Sequence, residues 1–585
     1  MPWDDDLDPQ SPAYGIAAAT ARFVRVVAGP GTGKSFALKR RVARLLEDGE
    51  NPRRILPVTF TNVAAEDLQR EMLLVGVPGC EEIRGSTLHA FCMRILNRQN
   101  VLEAIGRVAR PLNRFEMEPL LYDLPNTFGN KRSRAKRIRA YEAAWARLQH
   151  DMPGHALTAE DRAFEAALIG WLRFHRGMLI GEIIPYVYRY LRDNPAAPER
   201  MLFDHILVDE YQDLNKAEQG VIDLLGETAE VCIVGDDDQS LYSFKHAHPA
   251  GIREFDATHH PTEDHAVLEC RRCPTRIVEM ANALIRHNVD RDPRQLVPCA
   301  ENGRGEVSII QYDTLEREAT RVAELIGDLI DNRGYRPEDI LVLAQRRSVG
   351  NPIHDALTGR NIPSKSYYQE GMIDNLAAQE RLAMLKLFID SNDRIALRWL
   401  LGYGSNDFRK NAFGRLRTHC EQEGTEPWDA LAQLTAGELR IPYTQPLVAR
   451  YREIRAELDD LRDRAMLQEF IPAWLKHQID ENDPFHGLVL ELSLTVETPD
   501  ELLRAVIEAV SQPDIPPDVT EVRIMSLHKS KGLSSPVVII AGCVEGLLPA
   551  ASDPDLTAAE NAAALEEQRR LFFVGFDEGQ GGSSK

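Results

Sequence analysis

Short apolar runs, each closing on polar, glycine or acidic residues, punctuate the first half of the chain and return near its end. Phe23–Val27, Ile55–Phe60, His205–Val208 and Val231–Val234 are too short for helices and carry the continuous apolar character of strands buried on both faces. A second set, Val307–Gln311, Ile340–Ala344, Val522–Ser526 and Val537–Ala541, predicts a second sheet. A helix is expected over Ala64–Leu74, after a polar start at Thr61-Asn62. Residues 97–199 and 376–514 change character, becoming rich in Arg, Leu, Ala and Glu at helical spacing. The pattern predicts an α/β fold of two parallel-sheet lobes, each interrupted by a mostly helical insertion. The first lobe takes residues 1–96 and 200–270 with its insertion at 97–199. The second takes 271–375 and 515–585 with its insertion at 376–514.

Composition narrows the class. A chain of 585 residues is too long for one core. No apolar run approaches the roughly 20 residues that cross a bilayer, so no membrane role is expected. The acidic start Met-Pro-Trp-Asp-Asp-Asp lacks the apolar core of a signal peptide, and the cytoplasm is the expected compartment. Eight scattered cysteines then read as reduced thiols, with Cys270-Arg-Arg-Cys273 the single C-x-x-C. A net charge of −21 argues against a passive nucleic-acid coat, although a local basic stretch counts for more than the sum. Lys131–Arg139 holds six cations in nine residues, enough to grip a strand or duplex by its phosphates or to form a solvated helix face.

The chemistry concentrates where strands end. Val27-Ala-Gly-Pro-Gly-Thr-Gly-Lys-Ser35 follows the first strand and is a phosphate-binding loop. The loop takes in Ala28, Gly29, Pro30, Gly31, Thr32 and Gly33, and its glycines let the backbone curl with successive N–H groups pointing inward as an anion nest. Lys34 reaches the β/γ-phosphates and Ser35 offers its hydroxyl to Mg²⁺. Ile206-Leu-Val-Asp-Glu-Tyr-Gln-Asp213 delivers Asp209 at a strand tip to hold Mg²⁺, and places Glu210 to orient and deprotonate the attacking water. In Val234-Gly-Asp-Asp-Asp-Gln-Ser-Leu-Tyr-Ser-Phe244, Gln239 stands where an amide senses the γ-phosphate. Tyr242 and Phe244 offer flat faces for stacking bases or, equally in keeping with their type, for core packing.

In order, these segments resemble the motifs of the UvrD/Rep/PcrA group of superfamily 1 DNA helicases. The series continues through I-L-P-V-T-F-T-N-V-A-A at 55–65, G-S-T-L-H-A-F-C at 85–92, Arg-Arg-Cys-Pro at 271–274, M-S-L-H-K-S-K-G-L at 525–533 and E-E-Q-R-R-L-F-F-V-G at 566–575. The resemblance implies two RecA-like motor lobes driven by ATP and Mg²⁺, acting on single-stranded DNA and on single-strand/duplex junctions in the 3′→5′ direction. It further implies that Gln239 couples nucleotide state to the DNA site and that Arg272 reaches the γ-phosphate from the second lobe. Phe60, His89, Tyr242 and Phe244 would line the strand track, with Thr59, Asn62 and His528 making polar contacts.

Three departures stand out. No clear adenine-reading glutamine precedes the phosphate loop, leaving Tyr14 or Gln10 as substitutes. The fifth motif reads Gly532-Leu533-Ser534 where the group has G-L-E, which removes a ribose contact. After Phe573-Val574-Gly575-Phe576 the group gives Thr-Arg-Ala, and here Asp577-Glu578 stands instead. Glu578 thus takes the place of an arginine finger, whose loss typically costs about 10³–10⁵ in rate. The sixth motif therefore reads as truncated. An ATP- and DNA-binding switch or recruitment module with weak hydrolysis is the alternative this supports.

Overall fold

The computed structural model describes residues 3–577 except 60–64, 66–67, 69, 71–72, 75, 106–107, 150–157, 369–372, 374, 465, 477–478, 481–482, 512–518 and 555. The expected helix over 64–74 falls largely outside the described residues, as do Phe60 and Asn62. By their internal contacts the residues divide into two units. One comprises 1–91, 191–368 and 515–585; the other comprises 92–190 and 369–514.

The first unit contains both sheets. β1 (Phe23–Ala28), β2 (Ile55–Thr59), β3 (Ser86–Thr87), β4 (His205–Val208), β5 (Glu230–Gly235) and β6 (Thr262–Val267) make a six-stranded sheet in the order β3-β2-β4-β5-β1-β6. All its pairings are parallel. Parallel strands bring all their C-terminal ends to one edge, where open α/β sheets bind ligands. The phosphate loop, Thr59, Asp209 and Asp236 all emerge there. A short pair, β7 (Glu269–Cys270) and β8 (Val297–Pro298), follows.

The second sheet is built from β9 (Ile340–Ala344), β10 (Ser364–Ser366), β11 (Val522–Met525) and β12 (Val537–Ala541), in the order β10-β11-β9-β12, again parallel. Every residue of β9 is buried, as its unbroken apolar run requires. One expectation fails. Val307–Gln311 forms no strand: the backbone is irregular there, and Ile309 and Ile310 are 91% and 54% exposed. Its apolar content is that of a strand, but no described strand takes up its hydrogen bonds, and a strand without a partner has no ladder to stabilise it.

The second unit is helical. The helices Lys131–Ala146 and Ala159–Phe174 lie in its first segment; Leu376–Ile389, Arg394–Gly402 and Gln445–Arg462 lie in its second. The two segments share one interior, in which Phe115 and Phe174 pack among Leu397, Trp399 and Leu400, and Ile395 packs among Leu112, Leu168 and Trp171. At its polar heart Glu116, fully buried, takes two hydrogen bonds from Arg110 at 2.7 Å each and one from Lys386 at 2.7 Å. Arg110 also bridges to Asp393 at 2.6 Å.

Candidate active site

The phosphate loop owes its shape to two glycines. Gly31 and Gly33 have φ of +63° and +92°, a region that L side chains rarely adopt. Gly33 caps the helix Lys34–Glu47, so the loop delivers its N–H groups and the positive end of the helix dipole to one point. The Thr32 hydroxyl donates to the Gly29 carbonyl at 2.7 Å and fixes the curl. Space is as restrictive as conformation. A Cβ on Gly31 would stand 2.6 Å from Cβ of Arg272, and the Arg271 amide donates to the Gly31 carbonyl at 2.9 Å. Arg272 is thereby brought beside the phosphate loop.

The β4 end supplies the acids. Glu210 holds φ +54°, ψ +40°, a left-handed conformation that a non-glycine residue adopts at a cost, and its N–H donates to Asp209 Oδ1 at 2.9 Å. Lys34 Nζ lies 3.1 Å from Glu210 Oε1, Lys531 Nζ lies 3.2 Å from Glu210 Oε2, and Gln212 donates to the same carboxylate. Lys531 also pairs with Asp213 and donates to the Gln239 carbonyl at 3.2 Å. Gln239 aims its side-chain amide at Asp236 Oδ2, 2.7 Å away. Lys34, Glu210 and Gln239 thus share one hydrogen-bonded network, and Arg272 lies next to the loop that carries Lys34.

Acid outweighs base in this network. Asp209, Glu210, Asp213 and Asp236 face Lys34, Lys531 and the Arg294 that pairs with Asp236, four acids to three bases. Burial, reinforced by Glu210, pushes Asp209 up to about 6; burial likewise raises Asp213 to about 6 against the pull of Lys531. Burial acts the same way on Glu210, but the two lysines overcome it and hold its carboxyl well below the usual range. Lys34 is raised, since Glu210, Asp209 and Asp236 outweigh its desolvation. Asp213 Oδ1 is buried without a hydrogen-bond donor. Oxygen donors with a surplus of negative charge are of the kind that suits a hard divalent cation; Ser35 and Asp209 are the residues that would hold one.

The rest of the predicted set divides. Tyr242, Phe244 and His528 form a run of rings, with centroids 5.7 Å and 5.9 Å apart along the series. Phe244 is 61% exposed, so it is not a core residue. Lys531 Nζ lies 5.4 Å from the Tyr242 ring centroid and so joins this run to the acids. Thr59 is buried at the tip of β2. His89, exposed near the start of the helix Leu88–Leu96, places Nδ1 3.3 Å from Glu218. Tyr14 sits in the helix Pro12–Ala18 with its ring 5.1 Å from that of Trp3. Glu578 lies outside the described residues.

Two family models account for nearly the whole chain: the UvrD/REP helicase N-terminal domain over residues 14–260 and the UvrD-like helicase C-terminal domain over 271–577. The chain belongs to the UvrD-like helicase family. Among curated relatives, the ATP-dependent DNA helicase PcrA of Staphylococcus epidermidis is 24% identical, covering 94% of this chain and 79% of its own. PcrA of Leuconostoc citreum is 26% identical over 94% and 78%, and the ATP-dependent DNA helicase UvrD1 of Mycobacterium leprae is 26% identical over 98% and 81%. In this UvrD-type helicase the parallel sheets described above are the two RecA-like lobes.

Sequence reasoning missed two residues of the site. Lys531 stands inside the M-S-L-H-K-S-K-G-L segment, from which only His528 was singled out; its signal is a lysine before a glycine with φ +90°. Gln212 stands inside D-E-Y-Q-D and ties Glu210 to the backbone N–H of Asp236 at 2.9 Å.

Proposed function

We propose that this helicase hydrolyses ATP between its two lobes and uses each cycle to move single-stranded DNA in the 3′→5′ direction, separating duplex at a junction. The observation that carries the reading is the bridge made by Lys531: one ammonium touches the acids of the nucleotide site and lies over the aromatic run on which bases would stack. Bound at the acids, Mg²⁺ would neutralise the charge that builds on the transferring phosphoryl group. The chain's own residues do the rest. Lys34 leaves Glu210 for the β/γ-phosphates, freeing that carboxylate to align water, while Arg272 approaches the γ-phosphate from the second lobe. Gln239, joined to Lys531 through its carbonyl, reports the change toward Tyr242 and Phe244. Stacking with phosphate contacts gives a grip with little sequence preference. Arg132, Lys136 and Arg139, exposed on one face of the helix Lys131–Ala146, are suited to the phosphates of the duplex arm.

Glu578, at the position of the finger arginine, supports a second reading, a nucleotide- and DNA-binding switch that turns over slowly. ATP hydrolysis with and without oligothymidylate separates the two. Turnover stimulated by the strand supports the motor; tight ATP binding with no stimulation supports the switch.

A further inference from the structure

The acidic run that follows β5 is met from the second lobe by a residue to which no role has been assigned. Asp236, Asp237 and Asp238 are each nearly inaccessible to solvent, and burying three adjacent carboxylates requires matched cations. Arg291 takes Asp238 in a fork, Nε to Oδ1 at 2.8 Å and Nη2 to Oδ2 at 2.6 Å. Arg253 lies 3.3 Å from Asp237 and also pairs with Asp290. Arg294 alone reaches all three, with Nη2 hydrogen-bonded to Asp236 Oδ1 and 2.5 Å from Asp237 Oδ1. Two residues further on, Leu296 packs against the phosphate loop, where a Cβ on Gly29 would fall 2.2 Å from its Cδ2.

The two oxygens of Asp236 divide their work. Oδ1 takes Arg294 and, at 3.1 Å, the Asp238 backbone N–H; Oδ2 takes the Gln239 side-chain amide. The Asp236 backbone N–H in turn donates to Gln212, which donates to Glu210. A chain of hydrogen bonds therefore runs from a second-lobe arginine through Asp236 to Gln239 and to Glu210. We propose that Arg294 is a positioning residue for ATP hydrolysis, holding the Asp236 carboxylate in the rotamer that aims Gln239. It acts through Asp236 and Gln239. Its contacts with the acidic run all converge on one nitrogen, Nη2, so the side chain brings a fixed positive charge at the full reach of an arginine to the three carboxylates. The proposal rests on the assignment of Gln239 as the nucleotide sensor.

The test uses the full chain with saturating oligothymidylate and measures kcat and KM for ATP in R294M, R294K, Q239A and the double variants. R294M should lower kcat about tenfold with KM within about twofold of the parent, R294K should recover part of the loss, and in the Q239A background R294M should lower kcat by less than about twofold. A kcat for R294M near that of the parent overturns the proposal, as does a loss that adds in full to that of Q239A. Should R294M fail to fold, R294K carries the same comparison, since it keeps the charge and shortens the reach to Asp236. If Q239A itself turns over ATP as the parent does, the sensor assignment fails, an outcome distinct from additive losses, which remove Arg294 alone.

Discussion

Two buried charge clusters, one in each unit, use the same side chains to opposite ends. In the helical unit Glu116 and Asp393 face Arg110 and Lys386, two acids to two bases, and the partners overcome burial to hold Glu116 down to about 2. At the ends of β4 and β5, Asp209, Glu210, Asp213 and Asp236 face Lys34 and Lys531, with Arg294 bound to Asp236: four acids to three bases. There burial prevails, lifting Asp209 and Asp213 to about 6, and Glu210 adds a left-handed backbone. The balanced cluster is complete as it stands. The unbalanced one is a positive charge short, the condition that the proposed uptake of a cation would require.

The largest expected effect lies in the unbalanced cluster. Lys34→Ala should reduce nucleotide hydrolysis to background while thermal unfolding stays near that of the parent, because Lys531 still answers Glu210. Unchanged hydrolysis would remove Lys34 from the phosphates. Glu116→Ala should act in the reverse sense, destabilising the helical unit by about 3–5 kcal/mol in urea unfolding, since two cations lose their buried partner. A loss below about 1 kcal/mol would mean that the cluster contributes as little as a surface pair.

Acid sharpens the contrast. Glu116 has a folded pKa depressed from 4.5 to about 2, so its contribution is present above pH 4.5 and disappears as pH falls through that window. The loss amounts to about 3 kcal/mol. In the other unit Glu210 is likewise held down by its lysines, but Asp209 and Asp213 are raised, so their protonation on the way down toward pH 4 favours the folded state and offsets the loss from Glu210. Circular dichroism against pH should therefore show the helical unit yielding first; simultaneous loss of both units would contradict the comparison. The smallest effect concerns the exposed ring. Phe244→Ala should weaken single-strand binding by about 1–3 kcal/mol, measured by fluorescence anisotropy. An unchanged affinity would deny Phe244 a stacking role.

What the sequence revealed follows from how local each signal is. The phosphate loop and the D-E pair are contiguous, their function depends on backbone shape, and both were legible. β6 escaped notice because Thr262-Glu-Asp-His-Ala-Val267 is an edge strand with an exposed polar face, which leaves no apolar run to see. Val307–Gln311 misled for the opposite reason, since an apolar pattern without a hydrogen-bonding neighbour makes no strand. Lys531 meets Asp213 across 318 residues of chain and Arg294 meets Asp236 across 58, and periodicity carries no information about such pairings. The ion cluster around Glu116 was equally invisible, its lysine lying 270 residues away.

β12 closes the second sheet with its outer row of amides and carbonyls unclaimed by any described strand, and its own Val537–Ile540 are only half covered. Bare edges of that kind recruit whatever extended polypeptide is at hand. Preparations of this chain should accordingly cloud first at high concentration, and a charged residue placed on that rim would keep them clear.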